Sequence, residues 1–165
     1  MATPVISSAH LAGRSSALSE FEFSLNLAAT GYARWITRCA AACGENLSSL
    51  EVLIVHAIRP RDRPKRLAEI VLVLDIEDTH LATYAIRKLE KAGLVQSRRE
   101  GKEKLLSVTA QGLAFCDRYG RMREQLLLDS ALAAGLEEAD ISAMAALMRA
   151  LSGQYNQAAR AAATM

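Results

Sequence analysis

Thr79, His80, Thr83, Tyr84, Arg87, Lys88 and Lys91 fall on one side of a helical projection at about 100° per residue, and Leu81, Ala82, Ala85, Ile86 and Leu89 gather on the other. One side suits a core. The opposite side offers hydroxyls, an imidazole, a phenol and cations, which together can meet base edges and phosphates. Arg87 has the fork geometry for a bidentate contact to guanine, while Thr79, His80 and Thr83 could reach bases or phosphates. Tyr84 reads equally well as a base contact or as packing beside the segment that follows. That segment holds Arg98, Arg99, Lys102 and Lys104 around Glu100-Gly101, where glycine supplies the positive φ of a tight hairpin. Such a basic tip suits phosphate or minor-groove contact. The competing reading is a solvated charged face and an ordinary charged turn; the sharing of one helix face just before a basic hairpin favours DNA.

Other chemistries lack their residues. His10, His56 and His80 have no paired spacing, so there is no zinc signature, and neither a Gly-rich phosphate loop nor a nucleophile elbow occurs. No catalytic residue, metal site or cofactor is expected, and the chain does not read as an enzyme. Cys39 and Cys43 stand four apart beside Ala40, Ala41 and Ala42, which offer no cation to activate a thiol. They read as small buried residues, with a redox switch beside Arg38 as the other reading.

The elements that must position this face follow from apolar spacing. Phe21, Leu25, Ala29, Tyr32, Ile36 and Cys39 predict a long helix stopped by Gly44. Ser48 or Ser49, with Glu51 just inside, opens a second helix to Ile58. Residues 59–66 form a basic, proline-broken loop that suits backbone contacts or simple solvation. A third helix covers 67–74, and Asp75 and Asp78 compete to cap the polar-faced helix, which ends at Ala92 before Gly93. Strands are expected over 94–99 and 102–108. Thr109 then caps a helix striped by Leu113, Cys116, Tyr119, Met122 and Leu126, and a last helix after Gly135 carries Ile141, Met144, Met148, Leu151 and Tyr155. The Ala-rich end from Ala158 is expected to fray.

Composition agrees. Among 165 residues, 51% are hydrophobic and only 3 are Pro and 9 Gly, which favours long helices. The net charge of +2 hides an asymmetry: 12 Lys/Arg face 8 Asp/Glu between Arg59 and Lys104, against 8 and 10 elsewhere. A basic middle on near-neutral apolar arms suggests an anion-facing module carried by packing helices. No apolar run approaches the ~20 residues of a membrane span, and residues 1–19 hold no signal-peptide block, so a cytoplasmic protein with no membrane partner is expected.

Helix, helix, polar-faced helix and basic hairpin is the order of a winged helix-turn-helix. With one long helix before and two after, the chain resembles the MarR (multiple antibiotic resistance regulator) family. Leu47-Ser48-Ser49-Leu50-Glu51-Val52-Leu53 is similar to that family's opening of helix two. Arg87-Lys88-Leu89-Glu90-Lys91-Ala92-Gly93-Leu94-Val95 resembles its passage from recognition helix to wing, and Leu105-Leu106-Ser107-Val108-Thr109-Ala110-Gln111-Gly112 its exit from the wing. Gly135-Leu136-Glu137-Glu138 resembles the start of its last helix. The wing is shorter than the family's and lacks its Asp-x-Arg tip.

The resemblance implies a mostly α fold with a small β-wing, a winged helix-turn-helix flanked by N- and C-terminal dimerisation helices. The expected divisions are a flexible segment 1–18, a dimerisation helix 19–46, a winged helix 47–109, dimerisation helices 110–157 and a frayed tail 158–165. The implied function is a homodimeric, sequence-specific transcriptional regulator of double-stranded DNA, with recognition helix 78–92 in the major groove and wing 95–108 on backbone or minor groove. It leaves room for a small-molecule effector. Asp75, Glu77 and Asp78, which would repel phosphate, favour the alternative of a winged-helix dimer that binds protein and has little DNA affinity.

Overall fold

The computed structural model describes residues 14–59, 63–101 and 103–165. It separates into two units, Met1–Gly120 and Arg121–Met165. The expected flexible segment 1–18 lies mostly outside the described residues, as do Pro60, Arg61, Asp62 and Lys102.

In the first unit, α1 (Ser16–Ala42) begins where the Ser15 hydroxyl accepts the Leu18 N–H at 3.2 Å, and Gly44 with φ +90° ends it. The second helix, α2 (Ser49–Ile58), opens on a full capping box: Ser48 Oγ accepts the Glu51 N–H and Glu51 Oε2 accepts the Ser48 N–H at 2.9 Å. Residues Lys65–Arg66 form strand β1, not the loop expected there, pairing antiparallel with Leu106 and Leu105. Two residues are too few to show alternation in sequence; the edge of a neighbouring strand makes this one. Helix α3 (Leu67–Val73) follows directly, its first turn closed by the Glu69 carboxylate on the Arg66 N–H at 2.7 Å.

The turn from α3 to α4 (Thr79–Lys91) settles the competition between its carboxylates. Asp75 takes the left-handed position at φ +51°, which Asp tolerates better than most residues. Asp78 is the cap, accepting the His80 N–H at 2.8 Å. Gly93 at φ +74° stops α4. A hairpin of β2 (Val95–Glu100) and β3 (Glu103–Val108) then turns at Gly101, φ +61°. The sheet order is β1-β3-β2.

Thr109 joins hairpin to α5 (Ala110–Arg123): its hydroxyl donates to Gly93 O at 2.6 Å and accepts the Gly112 N–H at 3.0 Å. Gly112 sits so close to Leu94 that a Cβ there would lie 2.1 Å from the Leu94 carbonyl oxygen. The core gathers Ile36, Cys39 and Ala40 of α1, Val52, Ile54, Val55 and Ile58 of α2, and Ile70 of α3. Ala82, Ala85, Ile86 and Leu89 of α4, with Leu94, Leu106, Phe115 and Cys116, complete it. On α5 the buried stripe runs through Gly112, Phe115, Cys116 and Tyr119: Cys116 and Tyr119 are buried as expected, Phe115 joins them, and Leu113 and Leu126 are exposed.

In the second unit a π-helical turn (Glu124–Leu128) leads into α6 (Asp129–Ala133), which Gly135 at φ +86° ends. Helix α7 (Glu138–Ala162) buries none of its residues and stays helical past Ala158, where fraying was expected to begin.

Candidate nucleic-acid interface

Helix α4 places its residues by packing. Four residues, Ala82, Ala85, Ile86 and Leu89, anchor it, which turns Thr79, His80, Tyr84, Arg87, Lys88 and Lys91 outward as exposed side chains. Leu81 departs from the expectation: it is exposed, because the arc that α2 and α3 cover does not extend to its edge of the helix. Thr83 is half-buried, and its hydroxyl donates to Thr79 O at 2.9 Å, leaving its oxygen free to accept.

The cations split into two groups. Arg87 and Arg99 are exposed, and Arg98 meets the equally exposed Glu100 at 3.5 Å, a pairing that solvent weakens. Lys88 and Lys104 are instead tied to carboxylates. Lys88 Nζ lies 2.6 Å from Oε1 of the buried Glu51, a hydrogen bond that raises its pKa above the ordinary lysine range. Lys104 Nζ lies 3.0 Å from Glu90 Oε1, joining the hairpin to α4. Burial disfavours the Glu90 charge, yet hydrogen bonds from Ser97 and Lys104 hold its carboxyl below the ordinary range. Of the ten residues singled out from sequence, α4 therefore presents six on one outer surface, the hairpin presents Arg98, Arg99 and Lys104, and Lys102 is outside the described residues.

Sequence reasoning missed the carboxylates that hold this surface. Glu51 was legible as a cap residue but not as the partner of a lysine on another helix. Arg66 also contributes, bridging β1 to the wing through Glu103 at 2.7 Å. In the core, burial pushes the Cys39 and Cys116 thiols up to about 11, with Cys43 beside Cys39 adding to its shift, which disfavours their reactive thiolate forms. Among the described residues no cluster of His, Cys, Asp or Glu could hold a metal ion, and no helix is long and apolar enough to cross a membrane.

Residues 47–112 match the family model of a winged helix DNA-binding domain. Among solved structures, MarR from Staphylococcus aureus in complex with salicylate and kanamycin superposes with a TM-score of 0.69 at 15% identity, covering 85% of this chain and 93% of that one. The chain has the MarR fold. A cysteine-to-serine mutant of MarR from E. coli complexed with operator DNA gives 0.67 at 14% identity, over 85% and 99% of the two chains. A MarR-family transcriptional regulator from a Rhodococcus species gives 0.65 at 12%, over 84% and 96%. No curated protein sequence matches significantly. The matched residues 47–112 run from just before α2 through α3, α4 and the β2–β3 wing into α5.

Proposed function

We propose that this chain is a sequence-specific, DNA-binding transcriptional regulator that works as a cytoplasmic homodimer and without catalysis. Helix α4 enters the major groove, and the β2–β3 wing meets the backbone or minor groove. The observation that carries the reading is the outer face of α4, where Thr79, His80, Tyr84 and Arg87 stand exposed beside the basic wing. Arg87 is the residue for a bidentate base contact; Arg98, Arg99 and Lys102 serve the backbone. The E. coli MarR structure with operator DNA supports this docking. The S. aureus complex with salicylate supports a small-molecule effector.

Exposed Leu72 and Val73 at the end of α3 favour the second reading, a protein-binding winged helix. The acidic turn favours it less than its charge suggests, since Asp78 is used as a cap and Asp75 as the left-handed turn residue. Selection of bound fragments from a random duplex library decides between them. DNA binding predicts one enriched motif with two-fold symmetry; an unenriched library supports the protein-binding reading.

A further inference from the structure

Resting on the proposal that α4 reads the major groove, we infer that Glu51 is a positioning residue for the interface, holding Lys88 off the phosphates and, through Lys88, fixing the outward pose of Tyr84. Glu51 has a side chain only 3% exposed, and both its oxygens are committed: Oε2 to the Ser48 N–H at 2.9 Å and Oε1 to Lys88 Nζ at 2.6 Å. A buried carboxylate stripped of its cation is strongly unfavourable, whereas a single phosphate contact at the surface is screened by salt. Lys88 therefore stays with Glu51 when DNA arrives. Its ammonium also lies 5.8 Å from the centre of the Tyr84 ring, within cation–π range. The start of α2 and the reading face of α4 are thus joined by one chain of contacts, Ser48–Glu51–Lys88–Tyr84. The raised Lys88 pKa agrees with a cation held by an anion.

Glu51→Gln isolates the effect. An amide oxygen still accepts the Ser48 N–H, as Gln does in other capping boxes, but the anionic partner of Lys88 is gone. The probes are a duplex enriched by the wild-type protein from a random library and a scrambled duplex of the same composition. With Glu51→Gln the freed Lys88 should reach a phosphate, steepening the salt dependence of binding by about one contact (a slope change near 0.9) while discrimination between the duplexes falls several-fold. Lys88→Gln, at an exposed position, should lose the same discrimination with the salt slope unchanged. A slope that becomes shallower by about one contact in Lys88→Gln would make Lys88 a phosphate ligand and overturn the inference. So would two variants altered only in melting temperature, which is all that a purely structural pair would show. A DNA-free arm separates this from the broader proposal. In NMR of the dimethylated lysines, Lys88 should titrate above the others in wild type and join them in Glu51→Gln. If wild type enriches no duplex, the DNA reading fails, and with it the positioning role, whatever that titration shows of the clamp.

Discussion

The winged-helix unit and the C-terminal helices hide their apolar side chains in opposite ways. From Ile36 to Tyr119 every helix and the wing contribute to one core, with Ile54, Leu89, Leu94, Leu106 and Phe115 out of contact with solvent. Helix α7, 25 residues long, buries nothing: Ile141, Met144, Leu147 and Met148 are between 36% and 64% exposed. A contiguous apolar stripe of this kind marks a surface for another chain, and a two-fold copy is the commonest one. The winged helix is thus stabilised internally, whereas on the proposed reading the arm would gain its stability from association with a second copy.

Breaking the internal side should have the largest effect. In Gly112→Ala the new methyl meets the Leu94 backbone, which cannot swing away as a side chain can, and sits 2.5 Å from Val108 Cγ1 besides. Destabilisation of about 3 kcal/mol is expected in urea unfolding. A wild-type midpoint would mean that α5 does not press on the Leu94 backbone. Breaking the arm should spare the fold and cost the dimer: Leu147→Lys places a charge where the partner would cover it, weakening association by on the order of 3 kcal/mol. Sedimentation equilibrium reads this directly, and an unchanged dissociation constant would remove α7 from the interface.

Two smaller effects sharpen the contrast within the first unit. Arg87→Ala should relax preference at one base position, by about 1–3 kcal/mol, with the salt dependence nearly intact. A loss spread evenly over all sequences would make Arg87 a phosphate ligand instead. The smallest effect is at the start of α3. There the Arg63 hydrogen bond, with the Arg66 N–H, holds the half-buried Glu69 carboxyl at about 2 instead of 4.5. A lowered carboxyl contributes stability above its ordinary range and loses it as the pH falls from there toward 2. Wild type should lose helicity across that acid window by circular dichroism, and Glu69→Gln should lack that component. Identical acid profiles would contradict the pairing.

Much of this was legible because local chemistry decided it. Ser48 or Ser49 with Glu51 announces the start of α2, Gly93 and Gly101 sit where positive φ is needed, and the two faces of α4 follow largely from period. What escaped depends on partners distant in sequence. The strand Lys65–Arg66 exists because β3 offers an edge; Leu81 is exposed because the covered arc of α4 is narrow. Phe115 lies at the centre of the core although the three- and four-residue spacing of 112, 115, 116 and 119 was available beside the register read from Leu113. The site itself was only partly readable: residue type named the cations, but only the fold separates exposed Arg87 and Arg99 from Lys88 and Lys104, which carboxylates on other elements hold.

If the chain binds as proposed, two copies present two α4 helices to one side of a duplex. Hydroxyl-radical and methylation footprinting of the wild-type protein on its enriched duplex tests that most directly. Two protected major-groove segments are expected on the same face, about one helical turn (~10 base pairs) apart and related by two-fold symmetry. A single protected segment, or protection spread evenly along the backbone with no groove preference, would contradict it.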